Sequence, residues 1–264
     1  MNDFDFAGKT VLVTGSSMGI GEVFARELDA RGAKLVLVAR GKTRLEALAS
    51  RLKSAQVIAE DLTSPGAAGR VFAEVTRRGL DIDVLINNAG FGEYGTFLDV
   101  SLESQRGQID LNIGALVELT HVFMPMLERR QGGVIQVASI AGFQPTPYLA
   151  VYGATKAFVI SFGAALWAEY KDRGVRVVTL SPGATDTQFF VRAGDSAGGS
   201  AKRAPPEGVV RLGLEAFQEN RPSAIHGRTN RLAVFLTKLL PRLFVVKTMA
   251  RMAAPKPPVL SATP

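Results

Sequence analysis

The sequence predicts one α/β domain built on a doubly wound parallel sheet. The 264 residues, 47% of them apolar and 21% charged, are enough to bury a single large core. Short, almost wholly apolar runs alternate with longer segments of helical spacing, a pattern typical of parallel strands covered by helices on both faces. Right-handed crossovers are expected, with ligands bound at the carboxyl ends of the strands.

Each element follows from its own local pattern. Glycines at 32, 79 and 174 come just after three of the helical segments, where a left-handed C-cap is wanted. The strands are predicted at residues 10–14, 35–39, 56–59, 82–87, 134–138 and 175–180. The helices are predicted at residues 19–31, 44–53, 65–78, 102–129, 151–173 and 205–220. No internal repeat is visible, and residues 193–201, rich in Gly, Ser and Ala, are interpreted as a mobile loop instead of a linker.

Composition excludes several classes of function. The chain has no Cys, which rules out disulfides, cysteine nucleophiles and thiolate metal sites and favours a reducing compartment. With only His121 and His226 present, no metal centre is expected. The N-terminal residues include two Asp and no apolar run of signal-peptide length, so we expect an unprocessed, cytoplasmic protein.

The net charge of +7 is confined to one end of the chain. Eight Lys and Arg residues and no acid follow Glu219, so residues 1–219 sum to −1. This distribution argues against a nucleic-acid-binding body. We therefore divide the chain into an α/β domain at 1–227 and a basic C-terminal helical extension at 228–264.

A glycine-rich turn joins the first predicted strand to the first helix. Gly15, Gly19 and Gly21 would let the backbone approach a cofactor diphosphate, whose charge would meet free N–H groups at the helix N-terminus. A plain strand-to-helix turn is the alternative. The second strand ends in Ala39 and Arg40, without the acid that usually holds the ribose of NAD. A 2′-phosphate would meet the Arg40 guanidinium, which favours NADP(H), unless Arg40 is only a solvated cation.

Tyr152 and Lys156 form a candidate acid/base pair. Their spacing of four puts the phenol and the ammonium on one helix face. Two charges about 4 Å apart interact by roughly 4 kcal/mol at an effective dielectric near 20, enough in principle for Lys156 to lower the Tyr152 pKa by about 3 units. Ser139, at the end of the fifth predicted strand, would donate to a substrate carbonyl. Alone, the pair is a common coincidence on a helix surface, and a strand-end Ser often only turns the chain.

Taken together these motifs resemble those of the short-chain dehydrogenase/reductase family, over residues 8 to 190. The resemblance rests on motifs in the family's order: Thr14-Gly15-x-x-x-Gly19-x-Gly21, Asp61, Asn87-Asn88-Ala89-Gly90, Asn112, Ser139, Tyr152-x-x-x-Lys156 and Pro182-Gly183-x-x-x-Thr187. It implies a single Rossmann-like domain with a seven-stranded parallel sheet, assembled as a homodimer or homotetramer. NADP-preferring members also carry Arg at the position of Arg40.

The resemblance also implies a role for each matching residue. Asn112 would hold a water that links Lys156 to solvent, with a helix kink as the alternative role. For Asp61 the alternative role is a helix N-cap. Lys156 would bind the nicotinamide ribose, and Asn87 would tie adjacent strands. The diphosphate and its ribose would contact Gly15, Ser17, Met18, Gly19, Ile20 and Gly21. The adenosine half would contact Asp61, Leu62, Asn88, Ala89 and Gly90, and the carboxamide Pro182, Gly183, Thr185 and Thr187.

The substrate side is rich in aromatic residues. These are Phe91, Phe143, Tyr148, Phe189 and Phe190, the last two within a substrate loop at about 188–204. They favour a hydrophobic carbonyl/alcohol pair, with ordinary loop packing as the alternative. The leading interpretation is an NADP(H)-dependent oxidoreductase. A 3-oxoacyl thioester reductase, in which the tail cations meet a phosphorylated carrier, and a non-catalytic NADP-binding scaffold are the alternatives.

The basic extension is predicted to be helical from 228 to 252 and to be broken by Pro241 into two short helices. No uncharged run in it approaches the roughly 20 residues needed to span a bilayer. Its interleaved apolar and basic residues suit peripheral contact with an anionic membrane. Packing on its own domain or at a subunit interface is the alternative.

Overall fold

Seven parallel strands form one sheet in the order β3-β2-β1-β4-β5-β6-β7. The computed structural model describes residues 4–193 and 203–254. In chain order the strands are β1 Thr10–Thr14, β2 Lys34–Ala39, β3 Ala55–Ala59, β4 Val84–Asn87, β5 Gly133–Val137, β6 Arg176–Ser181 and β7 Ser223–Ile225. The six strand patterns are confirmed to within two residues. β7 lies at the sheet edge, and its three residues are too few to produce a periodic pattern.

Helices connect the strands and cover both faces of the sheet. They are α1 Gly19–Ala30, α2 Lys42–Ala49, α3 Ala67–Arg77, α4 Leu102–Ile109, α5 Leu116–Arg129, α6 Ala150–Tyr170, α7 Phe189–Ala193, α8 Pro206–Gln218, α9 Arg228–Leu239 and α10 Arg242–Ala253. The predicted helix at 102–129 is interrupted by a π-helical turn, Asp110–Ala115, between α4 and α5. The three predicted C-cap glycines all have positive φ, from 65° to 78°, as the left-handed cap requires.

The core has two halves because successive residues of each strand point to opposite faces of the sheet. Val11 and Val13 of β1 pack with Phe24 of α1 and Phe217 of α8. Leu12, between them in the chain, packs on the other face with helices α3 and α5. Burial on both faces explains why the strand sequences are apolar nearly throughout.

The sheet reverses its winding between β1 and β4. The chain moves outward from β1 to β2 and β3, then returns to place β4 on the other side of β1. Ligands of doubly wound folds bind at the carboxyl ends of strands near this switch point. The glycine-rich turn after β1 and the Asn87–Gly90 segment after β4 both lie there.

The C-terminal extension forms two helices, α9 and α10, separated at Pro241, as predicted. Among the described residues, only α6 with the 3-10 turn that follows it is long and apolar enough to cross a membrane. That helix packs against the 3-10 turn Ile140–Gly142 and against β6. Its length and composition are therefore those of a helix attached to the sheet.

Candidate active site

The glycine-rich turn is held close to the end of β4. A Cβ on Gly15 would lie 2.9 Å from the Ala89 Cα, and one on Gly21 would lie 2.3 Å from the Gly15 carbonyl oxygen. Gly15 and Gly19 also have positive φ, 63° and 58°. Only glycine satisfies both constraints, so the turn is built for close backbone approach.

Thr14 and Asn88 fasten this turn to the neighbouring strand. The Thr14 Oγ1 accepts hydrogen bonds from the N–H groups of Asn88 and Ala89, both at 3.0 Å. In return the Asn88 Nδ2 donates to the Thr14 carbonyl at 2.8 Å. Asn87 instead points to the adjacent strand and helix, donating to the Gln136 Oε1 and the Thr120 Oγ1, each at 3.0 Å. It therefore ties strands together, as expected.

This region fits the diphosphate of a dinucleotide. The glycines leave room at the N-terminus of α1, whose N-cap residue Met18 makes no side-chain cap, so its N–H groups are available to an anion. Ser16, which sequence reasoning did not select, is fully buried there, and its Oγ has no hydrogen-bond partner among the described residues. Gly15 to Gly21 would hold the phosphates and adjoining ribose.

Arg40 and Asp61 meet at the ends of β2 and β3. Their charged groups are 4.0 Å apart, and both side chains are exposed, at 63% and 42%. Burial raises the Asp61 pKa, but hydrogen bonds from the Thr63 N–H and hydroxyl, together with the Arg40 guanidinium, hold it below its ordinary value. An exposed ion pair at this distance is weak. Arg40 is therefore available to another anion, at the end of the site where the adenosine of a dinucleotide would lie.

Asn112 lies in the π-helical turn and is fully buried. Its Oδ1 accepts from the Phe91 N–H at 3.0 Å, and its Nδ2 donates to the Phe91 carbonyl at 2.9 Å and to the Thr155 Oγ1 at 3.0 Å. These bonds join the loop after β4 to α6. The helix is therefore irregular at Asn112, with a π-turn of the kind that often marks functional sites.

Lys156 reaches from α6 towards the end of β5. Its Nζ donates to the Val137 carbonyl at 2.8 Å. A Cβ on Gly90 would lie 3.4 Å from this Nζ and 2.8 Å from the Asn112 Oδ1, so Asn112 and Lys156 converge on Gly90. Burial lowers the pKa of Lys156 to about 8.

Tyr152 differs from the sequence prediction in its pKa. Burial raises the pKa of its phenol to about 12, and a hydrogen bond with Ser139 only partly opposes that rise. The Lys156 Nζ lies 5.8 Å from the centroid of the Tyr152 ring. The expected fall of about 3 units was wrong for this structure, because loss of hydration of the phenolate raises the Tyr152 pKa more than the hydrogen bond lowers it. The phenol is therefore protonated at neutral pH.

Aromatic rings adjoin Tyr152. The Phe189 ring centroid lies 5.2 Å from that of Tyr152, and a Cβ on Gly92 would be 2.8 Å from the Tyr152 ring. Tyr148 has a φ of 63° and stacks on Tyr94 at 5.6 Å. Gly92 was not selected from the sequence, because its need for a missing Cβ appears only once Tyr152 is in position.

The other predicted aromatic residues lie deeper. Phe91 is buried, with its ring 3.4 Å from the position of a Cβ on Gly107 of α4. Phe190 is also buried, and Phe143 is partly buried. Of the predicted substrate loop at 188–204, residues 194–202 lie outside the described part of the chain. Phe189 and Tyr148 are the predicted substrate residues that stay partly accessible near Tyr152.

The loop after β6 completes the site. The Pro182 carbonyl accepts from the Ile140 N–H at 2.9 Å, next to Ser139. Thr185 is buried and donates to the Gly183 carbonyl at 3.0 Å. A Cβ on Gly19 would be 3.1 Å from the Thr187 Cβ. The loop thus runs from Ser139 to the glycine-rich turn, a span suited to the nicotinamide half of a dinucleotide.

The buried Lys156 predicts a specific dependence of stability on pH. Between about pH 8 and 10.5 the unfolded chain keeps the Lys156 proton that the folded chain releases. The free energy of unfolding should therefore rise with pH in this window, by up to about 3 kcal/mol from this group. We expect Lys156→Met to lack that rise when both proteins are unfolded with urea at pH 7.5 and 10.

Lys171→Met, at an exposed lysine after α6, is the matched control. It should keep the pH dependence of the wild type. If the free energy of unfolding changed with pH equally in the wild type and in Lys156→Met, burial would not lower the Lys156 pKa.

Comparison with known proteins gives a consistent result. The family model for short chain dehydrogenase matches residues 9–197. A serine 3-dehydrogenase of Agrobacterium fabrum is 37% identical over 189 residues, covering 70% of this chain and 76% of that protein. A very-long-chain 3-oxoacyl-CoA reductase of Bos taurus is 36% identical over 187 residues, covering 66% of this chain and 59% of that protein.

A solved structure shares most of this architecture. A short-chain dehydrogenase from Sphingobium yanoikuyae in complex with NADPH superimposes with a TM-score of 0.78 at 33% identity, covering 88% of this chain and 94% of that one. Similarity therefore extends beyond the 9–197 segment and includes a protein that holds a nicotinamide dinucleotide.

Proposed function

Because the chain belongs to the short-chain dehydrogenase/reductase family, whose members are oxidoreductases acting on alcohol and carbonyl groups with NAD(P), we propose that it interconverts a hydrophobic carbonyl and its alcohol with NADP(H). Tyr152 is the general acid/base. The observation that carries the proposal is the buried Lys156 Nζ, which lies 5.8 Å from the Tyr152 ring centroid. A hydrogen bond with Ser139 lowers the pKa of the same phenol, against the larger rise that burial causes. NADPH bound to the Sphingobium yanoikuyae relative supports the cofactor assignment.

The mechanism follows from the states of these side chains. When bound, the cofactor supplies the hydride. In reduction, Ser139 donates a hydrogen bond to the carbonyl oxygen and Tyr152 transfers its proton to that oxygen as negative charge develops. The Lys156 ammonium stabilises the phenolate left behind. Tyr152 is protonated at neutral pH, so the chain is ready to act in the direction of reduction.

Each end of the dinucleotide would have its own contacts. Ser17, Met18 and Ile20, with the three glycines, would contact the diphosphate and ribose. Leu62, Asn88 and Ala89 would contact the adenosine half, with Arg40 on the 2′-phosphate. Asn112 would hold a water and Lys156 the nicotinamide ribose. Phe189 and Tyr148, with Phe91 behind them, would form the apolar wall for the substrate.

The test is consumption of NADPH by the purified chain against a panel of ketones, aldehydes and acyl thioesters. Oxidation of NADPH with a bulky apolar ketone, and none with small polar carbonyl compounds, is the expected result. Failure with every carbonyl compound, despite binding of NADPH, would favour the non-catalytic scaffold. The presence of Asn112, Ser139, Tyr152 and Lys156 together argues against that role.

A 3-oxoacyl thioester reductase is a second candidate. The 36% identity to the bovine very-long-chain 3-oxoacyl-CoA reductase favours it, and such a substrate is also a hydrophobic ketone. The same panel separates the two, because this candidate requires a higher kcat/KM for the acyl thioester than for the free ketone of equal chain length.

We also propose that residues 1–227 form the catalytic unit, with the segment at 188–204 facing the substrate, and that the protein acts in the cytoplasm as a homo-oligomer. The outer face of α6 supports the last point. Its exposed positions from Ala150 to Ala168 carry no charge, and Phe158 is 38% exposed. An uncharged face can pack against its own symmetry copy without repulsion.

Phe158→Glu should therefore convert the oligomer into a smaller species in size-exclusion chromatography with light scattering. A carboxylate in the middle of an apolar interface leaves buried, unpaired charges. Phe235→Glu, at an exposed phenylalanine of α9, is the control and should leave the molar mass unchanged. An unaltered mass for Phe158→Glu would remove α6 from the interface.

A further inference from the structure

The two C-terminal helices carry apolar side chains that no other described residue covers. Val234 and Val245 are buried. Eight large apolar residues of this segment are 41–66% exposed: Leu232, Phe235, Leu236, Leu239, Leu240, Leu243, Phe244 and Met252. We call these eight residues, with the cations among them, the tail surface. Contiguous apolar residues in such number indicate an interaction site.

The charge of the tail surface has one sign. No acid follows Glu219 in the sequence. Arg228, Arg231, Lys238, Arg242, Lys247 and Arg251 lie on α9 and α10 and are all exposed. Within residues 4–193 and 203–254, no salt bridge joins any of the six to a carboxylate. These cations are therefore available to an anionic partner.

The last helix contacts the domain at its C-terminal end, while the eight residues of the tail surface stay exposed. Near the start of α9 the Asn230 Nδ2 donates to the His226 carbonyl at 2.8 Å. Near the end of α10 the Tyr94 hydroxyl donates to the Ala253 carbonyl at 2.5 Å. Packing of the tail on its own domain, the alternative interpretation, does not extend to the tail surface.

We propose that the tail surface docks on an anionic lipid bilayer, as an interfacial contact that does not span it. Apolar side chains would enter the boundary between headgroups and acyl chains while the cations meet lipid phosphates and carboxylates. Each helix has 12 residues, well short of the roughly 20 needed to cross.

Charge decides between lipid and a second copy of the chain. A symmetric contact would set six cations against six identical cations, with no acid on either helix to offset them. The uncharged outer face of α6 has no such penalty. An anionic membrane instead offers a surface that accepts every cation at once. The proposal does not depend on the proposed function, because membrane binding is measured without turnover.

The test is sedimentation of the full chain with vesicles of phosphatidylcholine alone or mixed with phosphatidylserine. We expect binding to the mixed vesicles that weakens with added salt. Arg231→Gln/Lys238→Gln/Arg242→Gln should lower the partition coefficient about a hundredfold, at about fivefold per cation. Phe235→Ser/Phe244→Ser should lower it at least about tenfold.

Matched variants elsewhere on the surface control for charge and hydrophobicity. Lys34→Gln/Arg51→Gln/Lys53→Gln removes three exposed cations from the other end of the sheet, and Phe97→Ser/Leu98→Ser removes two exposed apolar groups. Both should bind vesicles as the wild type does. Equal loss in the control and tail variants would overturn the proposal, as would a wild type that stays in the supernatant. If the tail variants also reduce the molar mass of the oligomer, a second copy is the occupant.

Discussion

Tyr152→Phe is expected to abolish turnover while leaving the affinity for the cofactor nearly unchanged. The variant keeps the ring, whose centroid lies 5.2 Å from that of Phe189, but loses the hydroxyl and with it the transferable proton. A kcat at least about a thousandfold below wild type is expected, within the range that general acid catalysis contributes. Single-turnover kinetics and NADPH titration by fluorescence measure the two quantities separately.

Tyr170→Phe makes the same chemical change at the other end of α6 and serves as the control. Its ring packs under Arg173, with the guanidinium carbon 4.8 Å from the centroid, and it should keep wild-type kcat. If Tyr152→Phe retains more than about a tenth of wild-type kcat, a deficit of only about 1.4 kcal/mol, another group transfers the proton.

Burial on both faces of the sheet explains how much of the fold was predictable. A strand such as β2 is apolar along its length because α1 and α2 cover one side and α3 and α5 the other. Pattern alone therefore located it. The strand predicted at 82–87 begins instead at Val84. Just before it, the buried Asp83 carboxylate accepts from the Thr10 N–H at 2.8 Å and pairs with Arg130 at 2.9 Å. The partners of Asp83 are distant in the sequence, so the residues around it do not predict these contacts.

The site residues were visible in the sequence as motifs, but their electrostatics depend on tertiary structure. The distance of four residues between Tyr152 and Lys156 predicts a shared helix face. It says nothing of the burial that raises one pKa and lowers the other. The π-turn at Asn112 is likewise a tertiary feature, since its side chain bonds to Phe91, 21 residues away. Ser16 and Gly92 were not predicted, because the burial of Ser16 and the close approach of Gly92 to Tyr152 arise only in the folded chain.

The second large effect is expected in the choice of cofactor, where we predict a preference for NADPH over NADH of about 10- to 150-fold in kcat/KM. That range corresponds to one charge-assisted contact contributing roughly 1.5–3 kcal/mol. In our proposal the Arg40 guanidinium is the donor. It is 63% exposed and only weakly paired with Asp61 at 4.0 Å. Binding of a 2′-phosphate to Arg40 would therefore break no strong ion pair. At position 39, Ala39 provides no carboxylate to repel that phosphate.

Ala39→Asp combined with Arg40→Ser should reverse the preference. The new carboxylate would accept from the ribose 2′-hydroxyl of NADH and repel the 2′-phosphate of NADPH, while the favourable cation is gone. Lys42→Ser removes an exposed cation two residues from Arg40 and should leave the preference intact, which separates a specific contact from the general field. Steady-state kinetics with both cofactors at a fixed carbonyl substrate measure the ratio, and equal kcat/KM values for the wild type would contradict the role of Arg40.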